Sequence, residues 1–478
     1  MKNNRNETPK SIRLGHTQGS ANSRNSKPIR SDIDLTKGSI PRHLWYLSWP
    51  QMAESFFSII DQLADLFWAG RIGYKAIAGL GVSQTYILML MSARMGLDAG
   101  MRAMISRAVG AGDNKYANHI LFQAISITII WSLVVGSVGI IFADELLSFV
   151  GVSDEVVELA SMYMKLQFIG MSLMSFQRLS GGALQAAGDS VTPLKSATVS
   201  RLGHLLLSPF LIFGWWVFPE MNLAGAAAAN ILAQLIGVVI NFTVLFRGSS
   251  RLKLDLSEYD VDLALSWRLL RIGFPAAITG LQRSGSQLVL LMVVSSFGDA
   301  PAAAFALTRR TENVVNHTSR GLGRAAGTLS AQNLGAGDTS RAKLSFSWSI
   351  LYAAILSVIA MSVLWIFSEE VAILFSDSSE FVSHASLWIV ILALATFPMS
   401  CVQIFTQGIS NTGATLIPMV ITLVTFWIIE VPLGFGLSYF TTLDSVGVAW
   451  AIVIGNIARS LLLYVYFLRG SWLKTGII

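Results

Sequence analysis

Gly110-Ala111-Gly112-Asp113, followed by Asn114-Lys115-Tyr116-Ala117, returns as Gly335-Ala336-Gly337-Asp338, followed by Thr339-Ser340-Arg341-Ala342. The offset is 225 residues (335 minus 110). Other pairs keep the same register: Pro50 and Pro275, Phe142 and Phe367, Glu145 and Glu370, Ala160-Ser161 and Ala385-Ser386, Gly188 and Gly413, Pro193 and Pro418. A single shared turn motif is weak evidence. An ungapped register from about residue 50 to 193 reads as a duplicated domain.

Composition says what kind of domain is duplicated. Of 478 residues, 53% are hydrophobic and 13% charged, with a mean hydropathy of +0.58. A soluble chain carries about 25% charged residues. Apolar runs of about 20 residues, each long enough to cross a bilayer as a helix, recur along the chain. The sequence therefore predicts an all-α polytopic membrane protein. Twelve spans are predicted, near 44–69, 76–100, 118–142, 157–178, 192–217, 224–247, 269–297, 302–323, 344–367, 383–406, 415–440 and 446–468. The lone Cys401 excludes an internal disulfide and sits in an apolar stretch.

Charge placement tests the count. With the N-terminus inside, Arg102, Arg107, Lys115, Lys195, Arg247, Arg251, Lys253, Arg268, Arg271, Arg320, Arg324, Arg341, Lys343, Arg469 and Lys474 all fall on the cytoplasmic side. The outer loops hold Arg71 and Lys75 but many acids, among them Asp144, Glu145, Glu369 and Glu370. Six spans per half preserve this pattern and an odd number scrambles it. The halves are then parallel repeats forming two lobes around a central cavity. The expected organisation is a disordered basic cytoplasmic tail at 1–42, an N-terminal six-helix lobe at 43–247, a cytoplasmic linker at 248–268 and a C-terminal six-helix lobe at 269–470. The net charge of +6 arises largely from the tail, with its nine Lys or Arg, and points to no nucleic acid. Each GAGD is read as structural: glycines for a tight turn and close packing, and an aspartate capping the next helix.

Ser106-Arg107-Ala108-Val109-Gly110-Ala111-Gly112-Asp113 and Ala331-Gln332-Asn333-Leu334-Gly335-Ala336-Gly337-Asp338 resemble the paired signatures of the MATE (multidrug and toxic compound extrusion) transporters of the MOP flippase superfamily. Pro50 and Pro275 fit that resemblance, as do Gln185-Ala186-Ala187-Gly188-Asp189-Ser190-Val191-Thr192-Pro193 and its partner Gly413-Ala414-Thr415-Leu416-Ile417-Pro418. It covers about 40–470. It implies a V-shaped pair of lobes exporting small amphiphilic organic compounds by rocking, in exchange for protons or sodium. It also implies a monomer in the plasma membrane (a prokaryotic inner membrane); the even span count is what puts both termini in the cytoplasm.

Membrane-embedded charges are the functional candidates, since one at the bilayer centre costs at least about 2.5–3.5 kcal/mol. Glu54, Asp61 and Asp65 share one stripe of the first span, within about 40° of each other. Asp65 is similar to the first-helix aspartate that binds the coupling proton in the DinF-like branch. Such a carboxylate, in a partly dry lobe, can load and release a proton. Pro50 leaves an unpaired carbonyl and makes its helix bendable, and Pro275 is its counterpart, so both are hinge candidates. That branch usually has an Asn and, four residues later, an Asp on the fifth helix. Here His204 and Ser208 stand there. His204 reads either as a second titratable group or as a packing histidine. Loss of the second acid weakens a sodium site, so the proton is favoured as coupling ion; no other cofactor is implied.

The seventh span holds no acid, only Gln282, Arg283 and Gln287, which turns the reading away from the NorM-like branch. Glu312, with Arg309 and Arg310 beside it, and Glu430, with Arg283 or Arg459 in prospect, read either as substrate-binding groups or as ion pairs. Arg94 and Asp98 are spaced to pair. Seven arginines (94, 178, 201, 283, 309, 310 and 459) lie in spans, so unpaired ones facing the cavity suit an anionic or zwitterionic substrate. Trp68, Phe56, Phe57 and Tyr86 could stack on a flat cation or merely pack. The competing readings are a lipid-linked precursor flippase and sodium-coupled efflux. No Walker loop, His-Glu-x-x-His or nucleophile elbow supports an enzyme, and no repeated filter supports a channel.

Overall fold

A computed structural model describes residues 33–475 except Gly73, Gly151 and Asp377. The described residues form helices and no strands. The first half contributes α1 (Ile40–Ile72), α2 (Tyr74–Gly110), α3 (Asn114–Ile141), the short α4 (Ala143–Phe149), α5 (Asp154–Ala186), α6 (Val191–Phe213) and α7 (Asn222–Arg247). The second contributes α8 (Leu263–Ser295), α9 (Asp299–Gly335), α10 (Thr339–Ile366), the short α11 (Ser368–Ile373), α12 (Ser379–Ala393), α13 (Thr396–Asn411), α14 (Leu416–Val424), α15 (Val431–Tyr439) and α16 (Val446–Arg469). The sequence register survives as geometry. Both ends of α9 lie 225 residues after those of α2, as do both ends of α10 after α3.

The expected twelve spans are present in unequal guises. Six helices are long and apolar enough to cross a membrane on composition, and α12 with α13 makes a seventh, bent by 54°. The other five, α1, α2, α5, α8 and α9, are 33 to 37 residues long. At about 1.5 Å per residue they also span a bilayer. Their embedded charges keep them below an apolar threshold, and four of them, α1, α2, α8 and α9, meet where the lobes touch.

Proline explains where the halves differ. Pro398 lies in the first turn of α13, where a missing N–H is tolerated, and α12 stops just before it. The first half has Leu173 at that position and a continuous α5. Pro432 follows a π-type turn, Thr425–Glu430, that joins α14 to α15. Pro50 and Pro275 lie inside unbroken helices.

Each residue of GAGD has a separate job. An added Cβ at Gly110 would lie 2.0 Å from the Gln332 carbonyl oxygen, and one at Gly335 would lie 2.2 Å from the Arg107 carbonyl oxygen. Gln332 and Arg107 are themselves one offset apart, so α2 and α9 cross symmetrically between the lobes. Gly112 and Gly337 take φ of +80° and +83°, the left-handed turn. Asp113 Oδ1 accepts from Tyr116 N and Asp338 Oδ1 from Arg341 N, both at 2.9 Å, capping α3 and α10.

Further inter-lobe approaches lie on the same half of the molecule: Gly96 against Gly273, and Gly100 against Leu269. The last is Gly280 against the Ser92 carbonyl. One turn further on α2 and two turns further on α8, the same faces carry Leu88 and Leu288, 66% and 60% exposed. The helices part there, so a cleft is closed at the GAGD end and open at the other.

Of the expected tail, residues 33–39 pack as a strap and α1 begins at Ile40, so the folded part starts before residue 43. Leu35 is fully buried among Ala325, Ala326 and Leu329, and Arg341 Nη1 donates to the Gly38 carbonyl at 3.0 Å. The apolar Leu35 gives this part of the tail a burial partner. The rest of the tail lies outside the described residues. The expected linker is also shorter than 248–268, because α8 starts at Leu263 with Asp262 as its cap.

Candidate functional site

The acid stripe of α1 turns into the N-terminal lobe. Asp61 is buried and accepts from two groups of α6, Arg201 Nη1 at 2.5 Å and His204 Nδ1 at 2.7 Å. Arg201 and His204 are three residues apart, hence on one helix face. Asp65, also buried, has Oδ1 3.4 Å from His204 Nε2. The same nitrogen lies 3.3 Å from the Ala226 carbonyl oxygen on α7. Ser208 Oγ donates to the His204 carbonyl at 2.7 Å. One ligand atom from each of Asp61, Asp65 and His204 falls within 4.8 Å of the others.

The tautomer follows from the partners. Asp61, clamped by Arg201, is ionised and only accepts, so His204 Nδ1 carries a hydrogen. The Ala226 carbonyl also only accepts. Nε2 therefore needs a proton of its own, or a protonated Asp65 that donates to it. Without either, its lone pair faces two oxygens. The pair His204–Asp65 thus has a place for one exchangeable proton, in a site screened from bulk water. A metal ion would have to compete with the Arg201 guanidinium already on Asp61.

Glu54 belongs to the stripe but not to this cluster. Its Oε2 receives Gln185 Nε2 at 3.4 Å, and Gln185 Oε1 accepts from Arg102 Nη1 at 2.8 Å. Trp68 packs edge-on against Phe67 and Phe213 in the apolar part of the lobe.

The C-terminal lobe resolves its acids into ion pairs. Arg309 Nη1 donates to Glu312 Oε2 at 2.5 Å, and Arg459 Nη2 donates to Glu430 Oε2 at 2.8 Å. Arg459 Nε also donates to Thr425 Oγ1 at 2.9 Å. Glu430 therefore pairs with Arg459 and not with Arg283. Arg94 pairs with Asp98 at 3.3 Å as its spacing suggests, and donates to the Ser175 carbonyl. Gln282 and Arg283 are half-buried on α8. Sequence reasoning named Arg201 only as one embedded arginine and missed its clamp on Asp61. Its three-residue spacing from His204 was the available signal.

Two six-helix lobes, duplicated in parallel around a cleft, with buried charges in their interiors, define a membrane transporter. The chain belongs to the MatE family: the family's sequence pattern matches residues 50–210 and again 275–435, the same register as the GAGD pair. The chain is 26% identical to a Bacillus subtilis protein named "Probable multidrug resistance protein YoeA", over 92% of this chain and 96% of the relative. It is also 26% identical to a Shewanella oneidensis "FAD transporter", over 90% of this chain and 95% of the relative. A solved structure described as MATE in the bent conformation superposes with a TM-score of 0.86 at 20% identity, covering 94% of this chain and 99% of that one. One described as MATE in the straight conformation gives 0.84 at 21%, covering 95% and 100%. The protein is accordingly a multi-pass transporter of small organic solutes and not an enzyme.

Proposed function

We propose that the protein is a secondary antiporter that exports amphiphilic organic compounds in exchange for protons, with Asp61, His204 and Asp65 as the coupling site. One observation carries the reading: His204 Nε2 and Asp65 Oδ1 lie 3.4 Å apart, buried inside one lobe on and beside the Pro50-containing α1, a pair that can share one proton. When that proton leaves, the Nε2 lone pair meets the Ala226 carbonyl and the Asp65 carboxylate. The repulsion favours separating α1 from α6 and α7, and α1 also touches α9 of the other lobe. Proton release is thereby linked to the lobe contacts. The missing N–H of Pro50 gives α1 a place to bend, and the bent and straight descriptions of two similar structures accord with such a motion.

With the GAGD turns on the cytoplasmic side, the closed end is cytoplasmic and the cleft faces outward. The protein works as a monomer in the plasma membrane, both termini inside. Sodium is the weaker coupling ion, because Ser208 is committed to its own helix and Arg201 occupies Asp61. A flippase for lipid-linked precursors remains the alternative use of the same cleft.

The test is dye uptake into proteoliposomes under separately imposed proton and sodium gradients, for wild type beside Asp65→Asn and His204→Gln. Proton-driven uptake that both variants lose is the expected result. Uptake driven by sodium alone, or left intact in Asp65→Asn, overturns the assignment.

A further inference from the structure

Arginines that the ion pairs leave over gather where the lobes meet: Arg283 of α8 follows by three residues Gly280, which lies against the Ser92 carbonyl of the other lobe. The Arg178 side chain of α5 opens onto unoccupied space although its neighbours Leu179 and Ser180 are fully buried. His317 of α9 lies within electrostatic reach of Arg178 in the first lobe and of Arg283 and Arg324 in the second. Arg102 of the first lobe is in reach of Arg324 of the second. Groups of both lobes thus lie close to one another at the seam that Gly280 and Ser92 mark.

Their acids are engaged elsewhere. Arg178 lies in reach of Asp98 and Glu54. Asp98 is paired with Arg94, and Glu54 holds Gln185. The acid in reach of Arg283 is Glu312, which is paired with Arg309. Among the described residues, no side-chain hydrogen bond or salt bridge joins Arg178, Arg283 or Arg324 to an acid. Of these four arginines, Arg102 and Arg178 lie in reach of Glu54, a carboxylate that no cation pairs at salt-bridge distance among the described residues. Embedded cations left in that state are costly, and a planar guanidinium fork matches a carboxylate or phosphate in two-pronged fashion.

We propose that the cleft binds an organic anion, its carboxylate or phosphate held between Arg178 of one lobe and Arg283 and Arg324 of the other. This rests on the export reading for the use of the cleft, but it names the opposite charge class from a cationic drug. An anion bridging the lobes also neutralises their mutual repulsion, so bound substrate favours closure at the open end. A cation would add to that repulsion.

The experiment is equilibrium binding to the purified full chain in detergent, read by fluorescence polarisation. Two dyes with the same flat xanthene ring and opposite charge are compared, carboxyfluorescein and rhodamine 6G. Tighter binding of carboxyfluorescein is expected, weakened about tenfold or more in Arg178→Gln and in Arg283→Gln, the scale of one lost charge-assisted hydrogen bond. Arg178→Lys, which keeps the charge, should retain most of the affinity, separating loss of the site from loss of folding. Preference for rhodamine 6G, absence of carboxyfluorescein binding, or unchanged binding in both glutamine variants overturns the proposal. Competition by naphthyl phosphate identifies a soluble anion as the source, and competition only by phosphatidate-containing micelles, against phosphatidylcholine controls, identifies a lipid headgroup. Equilibrium binding needs no gradient. If Asp65→Asn binds the dye normally while proton-driven transport proves absent in the wild type, the coupling reading falls and this one stands.

Discussion

The two lobes were built to one plan and now hold their buried charge in different ways. Asp61 and Asp65 of the first lobe correspond, one offset on, to Ser286 and the buried Leu290 of the second. Arg201 and His204 correspond to Phe426 and Ile429. In the second lobe the acids are Glu312 and Glu430, each closed by an arginine at hydrogen-bonding distance. A carboxylate pinned by a guanidinium has little reason to take up a proton. A carboxylate facing an imidazole nitrogen does, because either partner can carry it. The duplication preserved the ends where the lobes touch and let the interiors diverge into one lobe with a carboxylate facing an imidazole, the proposed proton site, and one whose buried acids are closed by arginines.

The strongest way to break this contrast is to remove one acid from each lobe. Asp61→Asn leaves Arg201 without its anion and frees the His204 tautomer. Breaking a buried pair costs about 3–5 kcal/mol in general, so both Asp61→Asn and Glu430→Gln should melt lower than wild type. Their transport should differ. Proton-driven uptake should vanish in Asp61→Asn and survive, per folded molecule, in Glu430→Gln. Scanning fluorimetry beside proteoliposome uptake measures both, and loss of coupling in Glu430→Gln alone reverses the assignment of roles.

A second comparison concerns what the lobes kept in common. Gly110 and Gly335 each meet the other lobe's backbone, which cannot swing aside as a side chain would. Gly110→Ala and Gly335→Ala should therefore oppose closure of the GAGD end to similar extents, by about 1–3 kcal/mol each on the scale of overpacking. Spin labels on cysteines introduced across that end, with Cys401 replaced, should show a shift toward longer distances in both variants. A shift in one variant only shows that the crossing is not symmetric in energy.

These contrasts were unequally visible in the sequence. The duplication, the helix count and the capping aspartates follow from local spacing, and the acid stripe follows from helical periodicity. Which arginine closes which acid does not, because Arg459 and Glu430, or Arg201 and Asp61, meet only when helices pack. The choice between Arg283 and Arg459 for Glu430 illustrates the limit: both were candidates by position, and α16 packing decides it. Proline positions were legible as sites where a helix can bend, but not as sites where it does. Pro398 and Pro432 accompany a break and a wide turn, while Pro50 and Pro275 sit in continuous helices. The strap at 33–39 was hidden by the polar composition around Leu35.

The smallest expected effect lies at the open end, where the first lobe ties its short helix α4 to α5 and the second lobe instead ties α10 to α12. In the first lobe Asp144 of α4 accepts from Ser161 and, at 2.9 Å, from Lys165 of α5. One offset on, Lys165 becomes Val390, whose carbonyl instead accepts from Trp365 Nε1 at 2.9 Å. The hydrogen bonds from Ser161 first and Lys165 second hold the Asp144 carboxyl below its ordinary value of 3.8. A depressed carboxyl stabilises the fold above its unfolded value and loses that contribution as pH falls through its folded value. The tie is largely exposed, so Asp144→Asn should cost at most about 0.5 kcal/mol. The Tm difference from wild type should hold from neutral pH to about pH 5 and close below about pH 4. Glu369→Gln, the counterpart in the second lobe, should leave Tm unchanged throughout. A pH-independent loss in Asp144→Asn means that Asp144 acts there by packing, and that the lobes differ at this end in shape and not in charge.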